Sequence, residues 1–218
     1  MNIRLIGVPL WYGCDNPGTE QAFDCFCKAG VKELAERCGL RVSAISSVHV
    51  PEDTDKHFDP TMEYLSGTIA ACRNLEQAVK ESVENGDFPL TIGGDHSLGI
   101  GSVAGISHHI PKEDLTVIWV DAHTDINTNE VSESKHIHGM PLAACLGLGS
   151  EKLIDGFGRE AVKLLPENLF YIGSRSVDDA EWEILRQHNI RAFTMEEIKE
   201  KGMEACCREL LSLVKTKY

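Results

Sequence analysis

Asp121, His123 and Asp125 alternate along the segment Asp121-Ala122-His123-Thr124-Asp125, and a further acid–imidazole pair, Asp95-His96, stands upstream. Side chains alternate along an extended chain, so Asp121, His123 and Asp125 are expected to share one side. Carboxylates and an imidazole pointing together are costly to bury unless a cation sits among them, and a divalent metal is the simplest such partner. Hard oxygens mixed with imidazole nitrogens suit Mn2+, and less specifically Zn2+, Fe2+ or Ni2+. The cluster carries no sulfur, which weighs against a structural zinc. Taken alone, the same spacing also fits polar residues in a solvated loop beyond a strand.

The elements around these residues favour a built site. Val117 to Val120 is a short, continuous apolar run, the pattern of a strand buried on both faces of a parallel sheet. Phe88 to Ile92 is a second such run, and Gly93-Gly94 allows a tight turn into Asp95-His96. Both strands thus deliver the same residue types to one sheet edge, where open α/β sheets build their sites. Strands are further expected over 2–8, 41–50, 168–173 and 190–193. Helices are expected over 19–38, 60–85, 98–110, 139–148 and 179–188, with a loop and helix over 151–165. A last helix should open on a capping box at Thr194-Glu197 and run to about Lys215–Tyr218. Strand and helix alternate throughout, which implies a parallel sheet with helices on both faces. His49, His57 and the helix-end pair His108-His109 read as solvated or structural. Ser97 lacks the glycine two residues before it that a nucleophile elbow requires, so a serine hydrolase is discounted.

The motifs GGDHS (Gly93 to Ser97), DAHTDIN (Asp121 to Asn127) and HG (His138-Gly139) together resemble the ureohydrolases, the arginase and agmatinase family. The resemblance runs in order along the chain and implies a three-layer α/β/α arginase-like fold. It implies two Mn2+ ions per complete site, His96 binding one and His123 the other, with Asp121 bridging and Asp125 ligating the His96 metal. A metal-bridging hydroxide, held by Asp125, would attack the guanidinium carbon. His138 would shuttle a proton to the leaving amine, a task that suits an imidazole near neutral pH. Asn127 and Ser134 stand at the arginase spacings for contacts to the substrate carboxylate, and Asp178 at that for its α-amino group, with Glu181 three residues on. These matches favour L-arginine, hydrolysed to ornithine and urea, over agmatine. Two departures are Lys135-His136, where the family usually has Gly-Asn, and Asn129 in place of a common Pro.

Ureohydrolases continue with a further strand ending in a second Asp-x-Asp motif and with an acidic residue that holds the guanidinium group. No such motif follows in these 218 residues, so the fold is expected to be cut short at its C-terminal end, as one incomplete domain over 1–218. Alternatives are another ureohydrolase (agmatinase, formiminoglutamase or a guanidino-acid hydrolase) and a non-catalytic member of the family. The family also implies a homo-oligomer, commonly a trimer or hexamer.

Composition limits the partners. Lys plus Arg number 21 against 34 Asp plus Glu, a net charge of −13, which argues against nucleic acid and anionic membrane. No stretch approaches the ~20 apolar residues needed to span a bilayer. The amino terminus begins as a strand without a signal-peptide pattern, so a cytoplasmic protein is expected. The eight cysteines form no C-x-x-C pair and are expected to act as small buried hydrophobes.

Overall fold

The computed structural model describes residues 1–217; the expected helix end at Tyr218 lies outside them. The chain runs β1 (Asn2–Gly7), α1 (Ala22–Lys28), α2 (Val31–Arg37), β2 (Arg41–Ser47), α3 (Leu65–Glu84), β3 (Phe88–Ile92) and α4 (Leu98–Ser107). It continues through β4 (Val117–Val120), α5 (Pro141–Cys145), α6 (Glu151–Ile154) and β5 (Leu169–Ser174). Then follow α7 (Asp179–Gln187), β6 (Arg191–Thr194), α8 (Met195–Lys201) and α9 (Met203–Leu213). The strands form two parallel three-stranded sheets, ordered β2-β1-β3 and β4-β5-β6.

Alternation along the two middle strands sets the layers. In β1, Ile3 and Leu5 pack against Phe23 and Ala35 of α1 and α2, while Ile6 packs against Ala71, Leu75 and Val79 of α3. In β5, Phe170 and Ile172 meet Phe193, Ile198, Cys206 and Leu210, while Leu169 and Tyr171 meet Val103, Leu142 and Leu185. Helices therefore cover both faces of the two middle strands, as the alternation of strand and helix implied.

Against the middle layer α3 and α4 pack through glycine. A methyl on Gly101 would run into the backbone of Cys72, and one on Gly105 would sit 2.6 Å from Val79 Cβ. Gly101→Ala should therefore push the two helices apart and cost roughly 1–3 kcal/mol, read as a lowered urea midpoint with unchanged slope.

Several local expectations are corrected. The run 19–38 is a 3-10 turn (Thr19–Gln21) and two short helices, because the chain turns at Gly30, φ +84°. Phe26 and Leu34, which stand at helical spacing in that run, are exposed. The expected helix 60–85 begins only at Leu65. The last helix is divided at Gly202, φ +85°. Its capping box is half formed: Thr194 Oγ1 accepts from the Glu197 N–H at 3.2 Å, but the Glu197 carboxylate turns to Arg191 and Lys201. Hydrogen bonds from Arg191 hold the Glu197 carboxyl at about 2.

Strand β4 is not buried on both faces. Ile118 is 44% and Val120 73% exposed, on the face opposite Val117 and Trp119, which pack against the core; β4 pairs with β5 alone among the described strands. Of the cysteines, Cys72, Cys145 and Cys206 are buried as expected, but Cys25, Cys27 and Cys38 lie exposed on or beside the short helices α1 and α2. Among the described residues, no helix is long and apolar enough to cross a membrane.

Candidate active site

Strand β3 leaves the sheet through Gly93 and Gly94, both at positive φ (96° and 78°). A methyl on Gly94 would stand 2.7 Å from the Val8 carbonyl oxygen, so the turn needs glycine for space as well as conformation. It buries Asp95 and leaves His96 half exposed beyond the strand end. Strand β4 stops at Val120, and the residues after it are not extended. Asp121 and Asp125 nevertheless converge, because Asp125 adopts the left-handed conformation at φ +47° and turns its carboxylate back toward His96. Asp tolerates that region better than most side chains.

His96 Nδ1 lies 2.7 Å from Asp125 Oδ2 and 2.9 Å from Asp121 Oδ2. The hydrogen bond to Asp125 raises the His96 pKa, burial opposes it, and the charges of Asp125, Asp121 and Asp95 add to the rise. Since the imidazole N–H serves Asp125, Asp121 Oδ2 is a buried carboxylate oxygen without a hydrogen-bond partner. Such an atom is costly unless a cation completes it. One nitrogen and two carboxylate oxygens within 4.8 Å of one another, one of them orphaned, fit a divalent cation of the Mn2+ kind. His123 stands apart from this group. Its side chain is 60% exposed and its Nδ1 is 3.5 Å from Asp121 Oδ1, so alternation does not carry it into the cluster.

The remaining expected residues gather in one cleft with Asp125 and His123: Asn127, Ser134, His138, Asp178 and Glu181 all line it. Asn127 Nδ2 donates to Asp178 Oδ2 at 3.2 Å, and the Asn127 N–H ties to the Gly139 carbonyl at 3.0 Å. Asn127 Oδ1 has no hydrogen-bond partner. Glu181 is 4% exposed and spends both oxygens on backbone donors, the N–H of Asp178 (3.0 Å) and of Ile126 (3.3 Å). It thereby braces α7 against the Asp125 loop, and burial raises its pKa. His138 sits on the 3-10 turn Ile137–Gly139, its Nδ1 2.9 Å from the Gly13 carbonyl oxygen.

Two features escaped the sequence. Asp95, expected beside His96 as an acid–imidazole pair, is instead buried away from the cluster and accepts from the backbone of the distant Gly13. A second polar group joins Asp15, Lys56, Glu63 and His136, residues with no recognisable spacing. Lys56 bonds Asp15 and stands 3.3 Å from Glu63 Oε2, and His136 Nε2 is also 3.3 Å from that oxygen. The Lys56 ammonium sits between the two carboxylates and offsets one of their two charges, so the group already holds a cation. Next to it Lys135 occupies the left-handed region at φ +60°, where the family usually has Gly. Relief of that strain in Lys135→Gly should outweigh the greater freedom of the unfolded chain and stabilise by up to about 1 kcal/mol, seen as a raised denaturant midpoint. The other histidines are structural or solvated, as expected: His108 Nε2 lies 2.7 Å from Glu76 Oε1, and His57 is 76% exposed.

Strands β3 and β4 belong to different three-stranded sheets rather than the single sheet expected, and their ends meet in an imidazole–carboxylate cluster beside a cleft, an arrangement of the α/β class. Residues 1–218 match the model of the Arginase family, and the chain belongs to that family. It is 37% identical over 215 residues to an arginase of Bacillus caldovelox, covering 98% of this chain and 71% of that one. An arginase of Bacillus subtilis (strain 168) is 36% identical over 209 residues, covering 96% and 69%. The crystal structure of the Bacillus caldovelox arginase at pH 5.6 superposes with a TM-score of 0.91 at 36% identity, over 98% of this chain and 71% of that one. A Trypanosoma cruzi formiminoglutamase variant shares the fold at 18% identity, with a TM-score of 0.70. The protein is accordingly a hydrolase of the arginase-like type.

Proposed function

We propose that the protein hydrolyses the guanidino group of L-arginine to ornithine and urea with the help of Mn2+. The observation that carries this reading is the His96–Asp121–Asp125 cluster, with its orphaned Asp121 oxygen, beside a cleft lined by Asn127, Ser134, His138 and Asp178. Mn2+ held by His96, Asp121 and Asp125 would supply Lewis acidity and an activated water at neutral pH, and His123, outside that cluster but beside Asp121, would serve a second ion. Asp125 orients the attacking water by accepting its proton in a hydrogen bond. Asn127 and Ser134 offer donors to the substrate carboxylate, and Asp178 offers an acceptor to its ammonium group. His138 carries a proton to the departing amine.

The carboxylate contacts decide the substrate. Agmatine lacks a carboxylate and forfeits hydrogen bonds to a charged group, worth about 1.5–3 kcal/mol each, so arginine should be favoured at least about tenfold in kcat/KM. Urea release from arginine, agmatine and guanidinobutyrate, measured with Mn2+ present, tests this. Equal turnover of agmatine would reassign the substrate, and Mn2+ binding without turnover of any of them would favour the non-catalytic alternative.

A further inference from the structure

The contact between His138 Nδ1 and the Gly13 carbonyl, 2.9 Å, fixes more than the ring's place. A carbonyl oxygen only accepts, so the ring donates there; in the neutral imidazole Nδ1 carries the proton and Nε2 the lone pair. Gly13 lies in the turn Tyr12–Cys14, and that turn is held from behind. The Gly13 N–H donates to Asp95 Oδ2 at 2.9 Å, and Asp95 is 4% exposed. Asp95 Oδ1 accepts from the Ser97 N–H at 2.9 Å and from the Ser97 hydroxyl, while the Asp95 N–H donates to the Leu10 carbonyl at 3.0 Å. The approach leaves no room for a side chain: a methyl on Gly13 would collide with Asp95 Oδ1 and stand 2.6 Å from Ser97 Oγ. Tyr12 secures the other flank, its hydroxyl donating to the Pro51 carbonyl (3.1 Å) and accepting from the Asp53 N–H (2.9 Å).

We infer that Asp95 is a positioning residue for His138, acting through Gly13 to hold the imidazole as the Nδ1–H tautomer with Nε2 left to exchange protons. A buried carboxylate suits this task because it accepts several backbone and hydroxyl donors at once, and charge-assisted bonds are the strong ones. The turn then stays put while a proton comes and goes at His138. Asp95 itself touches no substrate. The inference rests on the proposed role of His138 as proton carrier, but its test needs neither substrate nor metal. It can therefore fail while the arginase reading stands, and the reverse.

The test is a long-range 1H–15N spectrum of the imidazole nitrogens in the metal-free full chain, recorded across a pH series and read at its alkaline plateau, where the shifts no longer change. His138 should show a single Nδ1–H pattern. In Asp95→Asn the side-chain amide sets a donor against donors, and His138 should relax to a mixture of tautomers. His108, paired with Glu76 elsewhere, should keep its signals. Ser97→Ala, which removes one hydroxyl and keeps the bond to Gly13, should retain the single pattern. If Asp95→Asn does not give a folded spectrum, Gly13→Ala makes the same comparison by pushing the turn outward. A wild-type His138 that is mixed or protonated on Nε2 overturns the inference. So does an unchanged pattern in Asp95→Asn, or a loss in Ser97→Ala as large as in Asp95→Asn.

Discussion

Mn2+ added to the metal-free protein at about one hundred times its Kd should stabilise it by about 2.7 kcal/mol, a rise of roughly 5–11 °C in Tm for a chain of this size. Asp121→Ala should lose most of that rise. Its metal-free form should change little above the folded His96 value: the substitution relieves a buried oxygen without a hydrogen-bond partner beside a second carboxylate, and gives up the Oδ1 bond to the His123 N–H and the Asp121 share of the pairing with protonated His96. The pH dependence distinguishes this from general ionic stabilisation. His96 has its folded pKa raised by Asp125, so its protonated form stabilises the metal-free fold. That contribution is fully present below the unfolded value of about 6.5 and is lost as pH rises through the folded value. A metal must displace the same proton, so the Mn2+ increment should shrink as pH falls and reach its full size only above the folded His96 value. Differential scanning fluorimetry with Mn2+ and with EDTA, between about pH 5.5 and 8.5, reads both effects. An equal Mn2+ increment in Asp121→Ala would remove the cluster as the metal site.

The sequence made the scaffold legible where local pattern and packing agree. β1 and β5 read as apolar strands and are buried on both faces. It failed at β4, whose four apolar residues look the same in one dimension although half of them are exposed. Whether a face is covered depends on what packs against the sheet, and nothing in Val-Ile-Trp-Val records that. It failed again over 19–38, where apolar spacing was carried across Gly30 although glycine at positive φ ends a helix. At the site, residue types were legible and geometry was not. Asp121 and Asp125 do meet, but through a left-handed Asp125 rather than strand alternation, and His123, which alternation would have included, lies outside. Glu181 shows the same divide: its place beside the cleft follows from spacing, while its commitment to two backbone donors depends on the Ile126 loop arriving from elsewhere. The contacts of Asp95 and His138 with Gly13 bridge residues far apart in the chain, which is why Asp95 read as a partner of His96 and its bond to Gly13 was not legible.

His138→Asn isolates proton transfer from everything else the cleft does. Asparagine retains an N–H that can reach the Gly13 carbonyl, so the turn should hold, but it has no nitrogen that titrates near neutral pH. Removing a general acid–base group costs typically 10²–10⁴-fold, so kcat for arginine should fall by that factor, about 2.7–5.5 kcal/mol of barrier. KM and the Mn2+ increment in Tm should stay near their wild-type values, because the proposed function assigns the substrate to Asn127, Ser134 and Asp178 and the metal to His96, Asp121 and Asp125. A matching rise in KM would instead make His138 a binding residue. A small loss in kcat would point to another proton carrier, and the structure names the place to look. The His136 ring lies 5.6 Å from that of His138, with Glu63 behind it, where the family usually has Asn. In that case His136→Asn should be silent alone and severe in combination, since two groups that substitute for each other are not additive. If His138 carries the proton by itself, the double variant should be no slower than His138→Asn.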